Sequence, residues 1–263
     1  MPPSLNPLQH VRDAVRRHPG SVPLQHATAA LPRPRQREVH VWEFDLHRPP
    51  AHAIDLLDPT EHERALRFVF AIDQSRFIAA HGWLRQILGR YLGRAPQALQ
   101  FVIGPYGKPE LAEQHDEAPL CFNLSHSGDK ALLAVSDGIP LGVDIEATRA
   151  NLPDATLAAG VLTAAELSEL AQIPAQQRTV VFFACWTRKE ACMKALGLGL
   201  ALDPKSLHVG LAVARQQLNQ DQSADAIDLS PLQSPPGYAA ALAVMGGFER
   251  VVYRRANSSG RPN

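Results

Sequence analysis

The chain of 263 residues carries 26 basic and 26 acidic side chains, with 45% hydrophobic and 20% charged residues. That balance describes a globular chain long enough for one large domain or two modest ones. A net charge of zero gives no global argument for nucleic acid or a membrane as partner. Cys121, Cys185 and Cys192 form neither a disulfide framework nor a zinc spacing, and fit buried thiols in a reducing compartment. No apolar run approaches the ~18 residues of a membrane span, and no apolar h-region follows Met1, so a cytoplasmic protein is expected.

Residues 1–37 are rich in Pro and Arg and read as a basic arm, with one short helix possible on Leu8, Val11 and Val15. Val39 to Leu46 alternates with period two and predicts the first strand. Asp58-Pro59-Thr60-Glu61 starts a helix, Asp58 being its cap and Pro59 its first residue. Asp73 is expected to cap a longer helix carrying Phe77, Leu84, Leu88 and Tyr91, which stops at Gly93. Arg76 then lies in the first turn, where the macrodipole disfavours a cation. A bound anion and an ordinary surface arginine both account for it.

Leu99 to Val102 reads as a short strand before the turn Gly104-Pro105-Tyr106-Gly107-Lys108-Pro109. Leu120 to Leu124 is a strand ending in Ser125-His126-Ser127-Gly128, and Ala131 to Ser136 returns beside it. Leu141 to Glu146 is more pointed. In a strand, Asp144 and Glu146 share one face, with Cα atoms roughly 6.7 Å apart. Like charges so placed repel, which a solvated strand end tolerates and a hard divalent cation turns to advantage.

Thr163-Ala164-Ala165-Glu166 has the form of a capping box, a complete structural task for Glu166. A long helix over residues 176–196 follows. On it Trp186, Glu190 and Lys194 stack four residues apart, as a reactive face or as an ordinary Glu–Lys surface pair. Leu207 to Val213 reads as a strand and residues 216–226 as a loop. Tyr238 to Met245 and Arg250 to Arg254 read as a last hairpin across Gly246-Gly247. The expected organisation is an arm (1–37), an N-terminal lobe (38–140), a C-terminal lobe (141–255) and a tail (256–263).

Four segments occur in order: YGKP at 106–109, FNLSHS at 122–127, GVDIE at 142–146 and WTRKEACMK at 186–194. Together they resemble the 4'-phosphopantetheinyl transferase superfamily, of the two-lobed monomeric, surfactin-synthetase-activating-like type. That resemblance implies an α+β fold of two pseudo-symmetric α/β lobes with coenzyme A in the cleft between them. It implies transfer of 4'-phosphopantetheine from coenzyme A to a serine of an acyl or peptidyl carrier protein, releasing adenosine 3',5'-bisphosphate. The carriers belong to fatty-acid, polyketide or nonribosomal peptide synthases, placing the protein in pathways such as secondary-metabolite biosynthesis.

By match to the family's pattern, Asp144, Glu146 and Glu190 bind Mg2+, and Lys194 contacts the phosphate under attack. Ser125 and His126 hold the coenzyme's phosphates, Tyr106, Gly107, Lys108 and Pro109 lie along the adenine, and Arg76 meets the 3'-phosphate with Arg64. The carrier serine needs a base, for which Glu190 stands first and Glu166 second. Two departures stand out: Glu61 and His62 occupy a place that is more basic in relatives, and Val161-Leu162 replaces an aromatic pair. A metal-dependent phosphodiesterase or nuclease, and a non-catalytic coenzyme A or carrier-binding module, are the alternative readings.

Overall fold

The computed structural model describes residues 30–112, 119–148, 155–219 and 226–256. The helix expected on Leu8, Val11 and Val15, and all of the tail beyond residue 256, lie outside them. Contacts group the chain into two compact units. One is built on Phe44–Leu99, the other on Pro34–Glu43 and Gln100–Arg254. The lobe boundary expected at 140/141 falls inside the second unit.

The first unit holds helices α1 (Pro59–Leu66) and α2 (Ala71–Leu92). Asp58 caps α1 in a full capping box with Glu61, and proline opens the helix, as the sequence predicts. The cap expected at Asp73 is displaced: α2 begins behind Phe70, which makes no side-chain capping bond. Arg85 is fully buried and joins the helices, donating to Glu61 at 2.5 Å and to Asp58.

The second unit contains two four-stranded sheets. In one, β10 (Arg250–Arg255), β1 (Glu38–Asp45), β5 (Lys130–Asp137) and β4 (Leu120–Ser127) lie in that order. In the other the order is β6 (Leu141–Ala147), β9 (Tyr238–Met245), β8 (Ile227–Pro231) and β7 (Gln216–Leu218). A small hairpin, β2 (Phe101–Ile103) with β3 (Pro109–Leu111), carries the loop around Lys108. Helices α3 (Ala155–Val161), α4 (Ala164–Gln172) and α5 (Ala175–Ala195) complete the α+β fold.

Strand β6 explains the packing. Leu141, Val143 and Ile145 join a core with Val39, Val41, Leu132 and Ala134 of the other sheet. The opposite pleat faces α5, where Ala239, Ala241 and Ala243 of β9 are small enough to let the helix close in. Gly142 is the point of closest approach. A Cβ built there would stand 2.1 Å from Ala191 O and 2.4 Å from Ala195 N, so only glycine fits.

Three expectations fail for physical reasons. The strand expected at Leu207 to Val213 does not form, because buried side chains of α5 and α4 take its backbone groups. The last two strands form, but β9 and β10 sit in different sheets and are no hairpin. The predicted loop at 216–226 begins as strand β7 over Gln216–Leu218, and β8 starts at Ile227.

Candidate active site

Four charged side chains of the second unit converge where α5 crosses β6. Trp186, Glu190 and Lys194 share the half-exposed stripe of α5, while Arg188 and Lys189 beside them are buried. Lys194 Nζ pairs with Asp144 Oδ1 at 2.6 Å and reaches Ser125 Oγ at 3.1 Å. The cation therefore holds a carboxylate on the strand, and not Glu190 one turn back on its own helix.

The other three oxygen-bearing groups are in unequal states. Asp144 is 2% exposed, and its Oδ2 is buried with no hydrogen-bond partner. Glu146 Oε2 accepts from Ser127 Oγ at 2.7 Å, and the Trp186 indole lies near enough to this carboxylate to favour its charged form slightly. Burial still pushes the Glu146 carboxyl above its ordinary range, with Asp144 adding to the shift. Glu190 is likewise raised by burial, against the pull of Lys194 and helped by the charges of Asp144 and Glu146. No hydrogen bond to the Glu190 carboxylate forms among the described residues.

An orphaned buried carboxylate oxygen and two carboxyl groups strained towards neutrality fit a hard divalent cation by charge and donor type. As they stand, no three His, Cys, Asp or Glu side chains among the described residues are close enough to hold a metal ion. Asp144, Glu146 and Glu190 are neighbours electrostatically, but the chelate is not closed.

The other predicted site residues of the second unit differ in their surroundings. Ser125 and His126 lie in the last three residues of β4, which ends at Ser127 as the sequence predicts. The Ser125 hydroxyl donates to Asp144 Oδ1 at 2.7 Å and accepts from Ile145 N and Lys194 Nζ. Its one proton and two lone pairs are used up. His126 is exposed.

Lys108 Nζ turns inward to Leu141 O at 3.0 Å and Lys194 O at 2.8 Å. It clamps its loop to the C-terminal end of α5, where a cation suits the helix dipole. Burial lowers its pKa. Tyr106 stays exposed, and Gly107 has φ 86° in the turn.

Glu166 does not stand with the acidic group. It is fully buried, caps α4 through Thr163, and accepts from Val209 N, Gly210 N and Lys189 Nζ, the last at 2.8 Å. Burial alone would raise its carboxyl, but Lys189 and the backbone donors hold it net below the ordinary range. A carboxylate so saturated is a poor proton acceptor, which corrects the second-choice base.

In the first unit, Arg76 falls in the second turn of α2 and pairs with Asp73 at 3.6 Å. This removes the macrodipole conflict expected there. Arg64 lies over the Phe77 ring at 5.1 Å.

Sequence reasoning missed the buried Arg188 and Lys189, which bond Val209 O, Gly210 O, Pro204 O and Leu207 O. Their place on α5, three and four residues after Cys185 on the buried face that it shares with Cys192, is the available signal.

Residues 140–243 match the family model of the 4'-phosphopantetheinyl transferase superfamily. Residues 42–137 match that of the 4'-phosphopantetheinyl transferase N-terminal region. Over 231 residues the chain is 37% identical to the 4'-phosphopantetheinyl transferase HetI of Nostoc sp., covering 85% of this chain and 95% of that protein. It is 37% identical over 142 residues to the 4'-phosphopantetheinyl transferase AcpT of Escherichia coli, 52% of this chain and 69% of that one. A crystal structure of Thermotoga maritima holo-[acyl-carrier-protein] synthase aligns with 41% of this chain and 64% of that one, at 18% identity and TM-score 0.28, too slight a likeness to carry argument. The chain belongs to the 4'-phosphopantetheinyl transferase superfamily.

Proposed function

We propose that the protein moves 4'-phosphopantetheine from coenzyme A to the serine hydroxyl of an apo carrier protein, releasing adenosine 3',5'-bisphosphate. The observation that carries this reading is the buried, unpartnered Oδ2 of Asp144, beside two carboxyl groups that burial has raised and a lysine. Asp144, Glu146 and Glu190 would hold Mg2+, which supplies charge neutralisation on the pyrophosphate oxygens when bound.

Lys194 is positioned by Asp144 and Ser125 to meet developing negative charge on the transferred phosphoryl group. Glu190 is the base. It would act directly or through a water on the metal, and its carboxylate accepts no hydrogen bond among the described residues that would tie it up. Lys108 keeps the loop Tyr106-Gly107-Lys108-Pro109 against α5, so that the loop backbone is a fixed edge for the coenzyme's adenine. The partners are carrier domains of fatty-acid, polyketide or nonribosomal peptide synthases, met by a cytoplasmic monomer.

Incubation with coenzyme A, Mg2+ and a panel of apo carrier proteins should raise a carrier's mass by one phosphopantetheine, and chelator should prevent it. No mass change on any carrier, with coenzyme A binding intact, would instead support the non-catalytic reading.

A further inference from the structure

Among the described residues strand β6 pairs with β9 on one side only, so its other side is an edge whose polar groups need partners. Side chains supply them. Val143 N–H donates to Asn123 Oδ1 at 2.9 Å, Ile145 N–H to Ser125 Oγ at 3.4 Å, and Ala147 N–H to Ser127 Oγ at 3.1 Å. Between these, Leu141 O and Val143 O receive Lys108 and Lys194 Nζ at 3.0 and 3.4 Å. Partners advance by two on both strands, so alternate side chains of β4 meet alternate amides of β6.

A backbone ladder would end there. A hydroxyl that accepts an amide still has a proton to give. Ser125 gives its proton to Asp144 Oδ1 and Ser127 gives its own to Glu146 Oε2, both at 2.7 Å. The rung that seals the edge at residue n+1 thus orients the carboxylate at residue n.

We infer that Asn123, Ser125 and Ser127 form a side-chain ladder joining the two sheet edges, and that Ser127 is the positioning residue for Glu146. The inference rests on the proposed transferase reaction for its kinetic consequence, but not for its structural one. Ser127 of β4 holds this carboxylate at 2.7 Å, and Trp186 of α5 lies beside it. Without the Ser127 hydroxyl, the carboxylate would be free to swing beside the indole.

The test compares Ser127→Ala with Ser127→Thr, which keeps the hydroxyl. In Ser127→Ala, kcat should fall about tenfold, the lower end of what removing a group behind a metal-binding carboxylate costs, with KM for the carrier unchanged. The Trp186 indole N–H resonance should move, while those of Trp42 and Trp83 stay. Ser127→Thr should restore both. If the alanine variant does not fold, Ser127→Cys, with its weak S–H donor, gives the same two readouts.

An unmoved Trp186 resonance together with wild-type kcat in the variant lacking the hydroxyl would overturn the inference. So would failure of the threonine to rescue. Should the wild type transfer to no carrier, the functional reading fails, and the indole resonances still decide the positioning role.

Discussion

Lys189 and Glu190 are neighbours on α5 and end in opposite environments. Lys189 turns into the protein, fully buried, to Glu166, Pro204 O and Leu207 O. Each Glu166 oxygen has donors, and its carboxyl is held in the charged form. Glu190 turns the other way, half-exposed, towards Asp144, Glu146 and Lys194, with its carboxyl raised and a buried oxygen of Asp144 left over.

One helix thus serves two carboxylate–lysine clusters, one satisfied and one not. A satisfied buried cluster fixes structure; an unsatisfied one holds capacity for a ligand.

Separating the helix from the strand should have the largest effect. In Gly142→Ala the new methyl would meet the backbone of Ala191 and Ala195, an overpacking beyond the usual 1–3 kcal/mol because backbone must move. Loss of soluble folded protein is expected, read by circular dichroism. A stable variant would show that α5 can stand off β6.

Breaking the satisfied cluster comes next. Lys189→Met strands a buried carboxylate and should cost about 3–5 kcal/mol in denaturant unfolding. At a temperature where the variant stays folded, kcat should match wild type.

Glu190→Gln should show the reverse. Transfer should drop about 10²–10⁴-fold, as for loss of a general base. Metal-free stability at alkaline pH should equal or exceed wild type, because a raised carboxyl is an ionised liability.

The two clusters should also give opposite pH signs. For Glu146 and Glu190, raised in the fold, the stabilising contribution is full at low pH and lost as pH rises through their raised values. For Glu166, lowered in the fold, it is present above the ordinary glutamate pKa and lost as pH falls through the lowered value. Metal-free stability should therefore fall less in Glu190→Gln as pH rises from the ordinary glutamate pKa towards the raised value, with the slope due to Glu146 remaining.

The smallest effect is chemical. Burial pushes the Cys185 and Cys192 thiols up to about 12, so a thiol reagent should modify Cys121 alone in the native protein.

Much of this arrangement is legible in the residues. Period two puts Asp144 with Glu146 and period 3.6 puts Trp186 with Glu190 and Lys194, because those rules are local. The capping boxes at Asp58 and Thr163 are likewise local, and both form.

What escapes is decided by distant partners. Nothing near Leu207 announces that its strand pattern will yield to Arg188, Lys189 and Glu166. Nor does Ser125-His126-Ser127 announce that its hydroxyls will close the edge of another sheet. The pairing of Lys194 with Asp144 over Glu190 needs the crossing angle of a helix on a strand, which no spacing encodes.

The most direct measurement is transfer to one apo carrier by wild type and Glu190→Gln side by side, followed by intact mass with coenzyme A and Mg2+ present. The account predicts a carrier heavier by one phosphopantetheine with wild type and an unmodified carrier with the folded variant over the same time. Equal modification by both would contradict it.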